Sequence, residues 1–174
     1  MGKLFVYVDG RSEGEPGDAG IGIAITDPQG NVVDEISRMI GRATTEVAEY
    51  RALIEACRYV VTLEPDSVIF FTDNQRLSNH INGVFVSREP AIQHLVEEAL
   101  GLLNRFPQWR VNHVDRYANV RAPGLVDRAF HRSSQTHIVR DRLEAQLLGC
   151  ASALTEDEMR RLIDYAERLR DEGV

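Results

Sequence analysis

Residues 3 to 10 alternate in the manner of a β-strand, and Gly20 to Thr26 gives a second. Between that strand and the next, Asp27-Pro28-Gln29-Gly30 carries a turn signal, so a hairpin leads into a third strand at about Asn31 to Met39. The period then changes. Ala48, Ala52, Leu53, Ala56 and Val60 share one face at helical spacing, and Thr44 or Thr45 can cap that helix. Pro65-Asp66 breaks the chain before Val68 to Thr72, a short β-branched and aromatic run suited to a buried central strand.

A short helix is predicted after Asp73, running to about Asn82 and ended by Gly83. Pro90 opens a longer helix whose stripe is Ile92, Leu95, Val96, Ala99, Leu102 and Leu103, and Pro107 ends it. Trp109 to Val114 reads as a fifth strand, and a loop from Arg116 to Gly124 leads to a helix carrying Asp127 in its first turn. The sum is an α/β fold: three hairpin-joined strands, then alternating helices and strands, giving a mixed sheet with helices on its faces. Beyond this, Thr155 to Glu158 forms a capping box, and Met159, Leu162, Ile163, Ala166 and Leu169 make one amphipathic stripe. That stripe is expected to cover the domain's own surface, with a dimer contact as the alternative.

Composition narrows the setting. The chain has 174 residues, 43% hydrophobic and 27% charged, as a soluble globular protein would. No apolar run reaches the length of a membrane span and no signal pattern opens the chain, so the cytoplasm is the expected compartment and no membrane partner is expected. Cys57 and Cys150 lie far apart without metal-ligand spacing, and both read as structural. The formal net charge is −7, an unusual balance for a nucleic-acid binder. From residue 141 onward nine acids face five bases, a balance of −4, which leaves −3 on the first 140 residues. With the four carboxylates described next discounted as cation ligands, that part stands at +1.

Those four are Asp9, Glu49, Asp73 and Asp127. Asp9 closes the apolar run Leu4 to Val8, and Asp73 closes the run Val68 to Thr72. Glu49 follows Thr44-Thr45-Glu46-Val47-Ala48 at the opening of a helix, and Asp127 lies in Gly124-Leu125-Val126-Asp127-Arg128-Ala129 near the start of another. Singly, each also suits a turn, a cap or a helix dipole. Together, strands ending side by side in Asp and a covering helix with Glu would gather hard oxygen ligands, which suit Mg²⁺ or Mn²⁺.

The stretch Asp9 to Gly22, the segment Thr44 to Tyr50, Phe71 to Gln75, Ile81-Asn82-Gly83 and Val126 to Ala129 occur in an order that resembles type 1 ribonuclease H. The likeness is to its compact archaeal-like and bacterial branch, and it runs from about residue 3 to about 135. The resemblance implies a ribonuclease H-like five-stranded mixed sheet, three antiparallel strands then two parallel, as a catalytic domain over 1–137. Residues 138–174 would be a C-terminal helical extension. It further implies a metal-dependent endonuclease that hydrolyses the RNA strand of RNA–DNA hybrids with two ions per site, leaving 5′-phosphate and 3′-hydroxyl ends. Asp9, Glu49, Asp73 and Asp127 would hold the metals, Asp9 bridging and Asp127 completing the water-activating site. Arg116 is the matching catalytic candidate in the loop before Asp127, where bacterial relatives often place a histidine. Gly10, Arg11, Ser12, Thr44, Thr45, Asn74 and Gln75 would meet the substrate. A monomer is expected, with a dimer through the C-terminal helix as the alternative. The alternative functions are another nuclease of the same fold and a non-catalytic module that binds nucleic acid or a partner.

Several positions depart from the family's pattern. Thr45 stands where it usually has Asn, Glu46 where it has an amide or other polar residue, and Glu13 and Glu15 where compact relatives typically show Arg and Asn. Carboxylates on a phosphate-facing surface are expected to weaken hybrid binding. The basic protrusion of some bacterial relatives is absent after Asn82-Gly83, as it is in the compact branch. His113 is expected to be packed on its strand, and His80, His94, His131 and His137 read as surface or helix residues.

Overall fold

The apolar alternation of the first strand turns into a sheet because each of its edges finds a partner. In the computed structural model, which describes residues 2–171, β1 (Lys3–Ser12) lies at the centre. Around it are β2 (Gly17–Thr26), β3 (Val32–Ala43), β4 (Ser67–Thr72) and β5 (Trp109–His113), in the order β3-β2-β1-β4-β5. β1 pairs antiparallel with β2 and parallel with β4, and β4 pairs parallel with β5. This is the expected mixed sheet. Leu4, Val6 and Val8 alternate into the core, where they meet Tyr50, Leu53 and Cys57 of α1 (Thr45–Val60) and Phe70 of β4.

All three hairpin strands outlast their apolar pattern. β1 continues to Ser12, β2 starts at Gly17 and β3 runs to Ala43, because backbone pairing such as Arg11↔Gly20 and Ser12↔Ala19 needs no apolar side chains. The register matters most at the other edge of β1. Tyr7 pairs with Phe71, so Asp9 and Asp73, each two residues further on, stand level just past the last parallel pair, while β1 itself runs on to Ser12. Gly10 then lets α1 lie directly on β1. A Cβ there would fall 2.3 Å from the carbonyl carbon of Ala48, the residue before Glu49.

The remaining helices are α2 (Gln75–Ile81), α3 (Pro90–Leu103), α4 (Arg121–Ala151) and α5 (Glu156–Asp171). α4 begins three residues before Gly124, because Pro123 sits in the first turn, where its missing N–H costs no hydrogen bond. Asp127 therefore lies in the second turn of α4, not the first as expected from the sequence. Its helix rests on β2 through Gly22, where a Cβ would meet the Ala122 carbonyl oxygen at 2.1 Å. His80 is a buried residue of α2 whose Nδ1 hydrogen-bonds the Tyr50 hydroxyl, whereas His113 is exposed on β5 and not packed.

The chain forms two compact units, Met1–Arg132 and Ser133–Val174. α4 passes without a break through the position where the extension was expected to start. In the second unit the capping box is made: Thr155 N–H donates to Glu158 Oε2 at 2.9 Å and Glu158 N–H to Thr155 Oγ1 at 3.4 Å. Met159 and Leu162 are half-buried and Ile163 is exposed, while the Leu169 side chain lies outside the described residues. Both cysteines are free, Cys57 buried and Cys150 exposed. Among the described residues no helix is long and apolar enough to cross a membrane.

Candidate functional site

Asp9 in β1, Asp73 just past β4 and Glu49 in α1 converge: one carboxylate oxygen from each lies within 4.8 Å of the others. Glu49 is buried, and its Oε2 has no hydrogen-bond partner. A buried, unpartnered carboxylate oxygen beside two further carboxylates is costly unless a cation joins them. Burial and the Asp73 charge push the Asp9 carboxyl up to about 6, against the Gly10 N–H and the charges of Arg116 and Arg11. Glu49 is held well above the usual carboxylate range by burial and by Asp9 and Asp73, with Arg116 opposing. The donor set, all carboxylate oxygens, fits a hard divalent ion of the Mg²⁺ or Mn²⁺ type.

The cluster opens into a groove of about 470 Å³, whose lining also takes in Gly10, Arg11, Thr45, Asn74, Gln75 and Arg116. Six of the residues assigned from the sequence thus share one surface with three of the carboxylates. The fourth carboxylate is engaged elsewhere. Asp127 is exposed and ion-paired with Arg11, Nη1 to Oδ1 at 2.7 Å, and does not belong to the three-carboxylate cluster. Ser12 and Thr44 serve local structure. Ser12 N–H donates to Thr45 Oγ1 at 3.3 Å, its hydroxyl donates to the Gly14 carbonyl at 2.6 Å, and Thr44 Oγ1 accepts from Val47 N–H to cap α1. Asn74 caps α2 in the same way, accepting from Leu77 N–H at 3.0 Å.

One residue of the site went unnoticed in the sequence. Asn119, fully buried, donates through Nδ2 to the Val8 carbonyl at 3.0 Å and reaches Asp73 Oδ1 at 3.4 Å. It ties the loop before α4 to the ends of β1 and β4. The only signal was a lone amide in a loop searched for histidine and arginine. Two of the three glutamates expected to face the phosphates are also engaged: the Glu15 carboxylate accepts from Thr45 N–H at 3.1 Å, and Glu46 lies 3.3 Å from Arg76. A larger hollow of about 710 Å³ lies between β3, α1 and α3. Two of its arginines are ion-paired, Arg38 and Arg58 with Glu55 and Arg58 with Glu98, and a third, Arg51, donates to the Ile40 carbonyl at 3.3 Å.

The raised carboxyls make a pH prediction for the metal-free protein. Because folding lifts the Asp9 carboxyl above its usual value, its contribution is fully present below about pH 4 and is lost as pH rises through about 6, and the raised Glu49 acts in the same direction. In EDTA, the stability gap between Asp9→Asn and the parent should therefore widen between pH 4 and pH 7, by about 2 kcal/mol in favour of the variant. Thermal melts across that range read the gap; one that stays constant would remove the assigned cause.

Comparison with known proteins points the same way. Residues 7–129 match the family model described as reverse transcriptase-like. The chain is 34% identical over 129 residues to ribonuclease HI of Halobacterium salinarum, covering 74% of this chain and 65% of that protein. It is 30% identical over 135 residues to a bifunctional protein of Mycobacterium tuberculosis, covering 77% of this chain and 37% of that one. The chain thus spans less than two thirds of the length of these curated relatives. Among solved structures, it matches ribonuclease H1 of Halobacterium salinarum with a TM-score of 0.73 at 32% identity, covering 75% of this chain and 98% of that one. LC11-RNase H1, solved in complex with an RNA/DNA hybrid, matches with a TM-score of 0.70 at 32% identity, with the same shares covered.

Proposed function

The chain belongs to the type 1 ribonuclease H family, and we propose that it is a metal-dependent endonuclease that hydrolyses the RNA strand of RNA–DNA hybrids. The observation that carries this reading is the convergence of Asp9, Glu49 and Asp73 around an unpartnered, buried Glu49 oxygen. The hybrid bound by the LC11 relative supports the substrate class. Asp9, Glu49 and Asp73 would hold Mg²⁺ or Mn²⁺, with Asp127 serving a second ion. Bound there, the ions would supply Lewis acidity for the attacking water and the leaving oxygen. In-line attack on the phosphodiester leaves a 5′-phosphate and a 3′-hydroxyl.

The protein's own part is to bind and orient. Arg116, on the groove wall, exerts its charge on both Asp9 and Glu49 and offers a cation to an incoming phosphate. Thr45 and Gln75 present polar groups along the same groove, where a ribose 2′-hydroxyl can be read. Asn119 keeps Asp73 in register with the end of β1. We place the protein in the cytoplasm as a monomer. The rival reading, a non-catalytic binding module, gives no use to a buried Glu49 oxygen without a partner.

A cleavage assay separates the two. With Mg²⁺, the RNA strand of a hybrid should be cut, while double-stranded and single-stranded RNA survive and EDTA abolishes the reaction. Intact hybrid at saturating Mg²⁺ and Mn²⁺, with tight hybrid binding retained, would favour the binding module.

A further inference from the structure

Arg11 stands two residues after Asp9 on β1, so strand alternation sets both side chains on one face. Its guanidinium is held at two points on α4. One is the 2.7 Å ion pair to Asp127, and the other is the Phe130 ring, whose centroid lies 5.0 Å from the guanidinium carbon. Asp127 and Phe130 are three residues apart on one helix face, so together they form a seat for a flat cation. Arg11 also lines the groove that the three clustered carboxylates open into, and its charge acts on Asp9. A permanent cation on the rim of this groove is therefore paired to Asp127.

We propose that Arg11 is a positioning residue that withholds Asp127 from the second metal ion, so the protein binds one divalent cation well and a second only after this pair opens. The proposal rests on the two-ion reading above and adds to it an order of filling. The first ion needs only Asp9, Glu49 and Asp73, which are already gathered. The second must break the Arg11–Asp127 contact and sit near a displaced guanidinium. Both partners are substantially exposed, with side-chain exposures of 41% and 63%. An exposed pair of this kind resists opening by no more than about fivefold, and the ring contact adds a similar factor at most. The device thus tunes the second site without closing it.

Calorimetric titration of the full chain with Mn²⁺, without nucleic acid, tests this in the parent, Arg11→Gln, Arg11→Lys and Arg11→Gln/Asp127→Asn. The expected result is a tighter and a weaker event in the parent. The weaker one should tighten roughly five- to tenfold in Arg11→Gln, return toward the parent value in Arg11→Lys, and lose its gain when Asp127→Asn is added. The tighter event should move much less. A weaker event of equal affinity in parent and Arg11→Gln overturns the proposal while leaving two ions in place. A gain that survives Asp127→Asn also overturns it, since the effect then does not pass through Asp127. A single event in every protein overturns the two-ion reading itself, and this inference with it.

Discussion

Asp9→Asn and Asp73→Asn are each expected to lower Mg²⁺-dependent hybrid cleavage by about 10³-fold or more while the domain stays folded. Charge stabilisation by bound metal is worth several kcal/mol in the transition state, and each 1.36 kcal/mol is about a factor of ten in rate. The amide is nearly isosteric with the carboxylate but is a much poorer ligand for a hard cation. Folding should not suffer, because the parent gathers three carboxylates within 4.8 Å and the substitution relieves their repulsion. Thermal melts in EDTA should show the variants equal to the parent or more stable above about pH 6, the side of the Asp9 titration on which the parent carries the charge. Cleavage and melting measured on the same samples decide the matter. Activity within a few-fold of the parent would refute the assigned roles, and lost activity with a collapsed melt would make the aspartates structural.

The parts of this site that could be read in the sequence are those fixed by local pattern. Asp9 and Asp73 each end an apolar run, and parallel pairing of the two runs sets them level; Asp73 follows the end of β4, whereas β1 runs on past Asp9 to Ser12. Glu49 lies at the opening of the helical pattern of α1, and in the structure it is buried together with its neighbours Ala48 and Tyr50. What could not be read depends on contacts between segments distant in sequence. Glu15 meets the amide of Thr45 from 30 residues away, and Asn119 meets the Val8 carbonyl from 111 away. No spacing in the chain encodes either contact. The start of α4 was misplaced for a different reason. Pro123 and Gly124 read as loop residues by propensity, yet a proline in the first turn and packing of Ala122, Leu125 and Val126 outweigh that preference. That shift put Asp127 in the second turn, and its pairing with Arg11 was visible only once the sheet had set Arg11 beside α4.

The second large effect is expected at Glu13, Glu15 and Glu46. Replacing three glutamates, as Glu13→Arg, Glu15→Asn and Glu46→Gln, should tighten hybrid binding at low salt by on the order of 10²-fold. A unit charge about 6 Å from a phosphate in water is worth about 0.7 kcal/mol, and the triple substitution changes the charge by four units. Two of the three also release groups that could serve the substrate. The Glu15 carboxylate now takes the Thr45 N–H at the start of α1, where a backbone phosphate would otherwise accept, and Glu46 lies 3.3 Å from the Arg76 guanidinium. Salt dependence should steepen in the triple variant, since an added arginine contact to a phosphate contributes a slope of about 0.9. Turnover at saturating hybrid should change little, because none of the three belongs to the Asp9, Glu49 and Asp73 cluster. Fluorescence anisotropy across a salt series, run with Ca²⁺ or with Asp73→Asn to block cleavage, reads the affinity. If Glu15→Asn alone tightens binding and Glu13→Arg does not, the gain comes from the freed amide at the head of α1 and not from the summed charge. Equal affinity for parent and triple variant at low salt would mean that this end of α1 does not face the hybrid, and the glutamates then cost the enzyme nothing in binding.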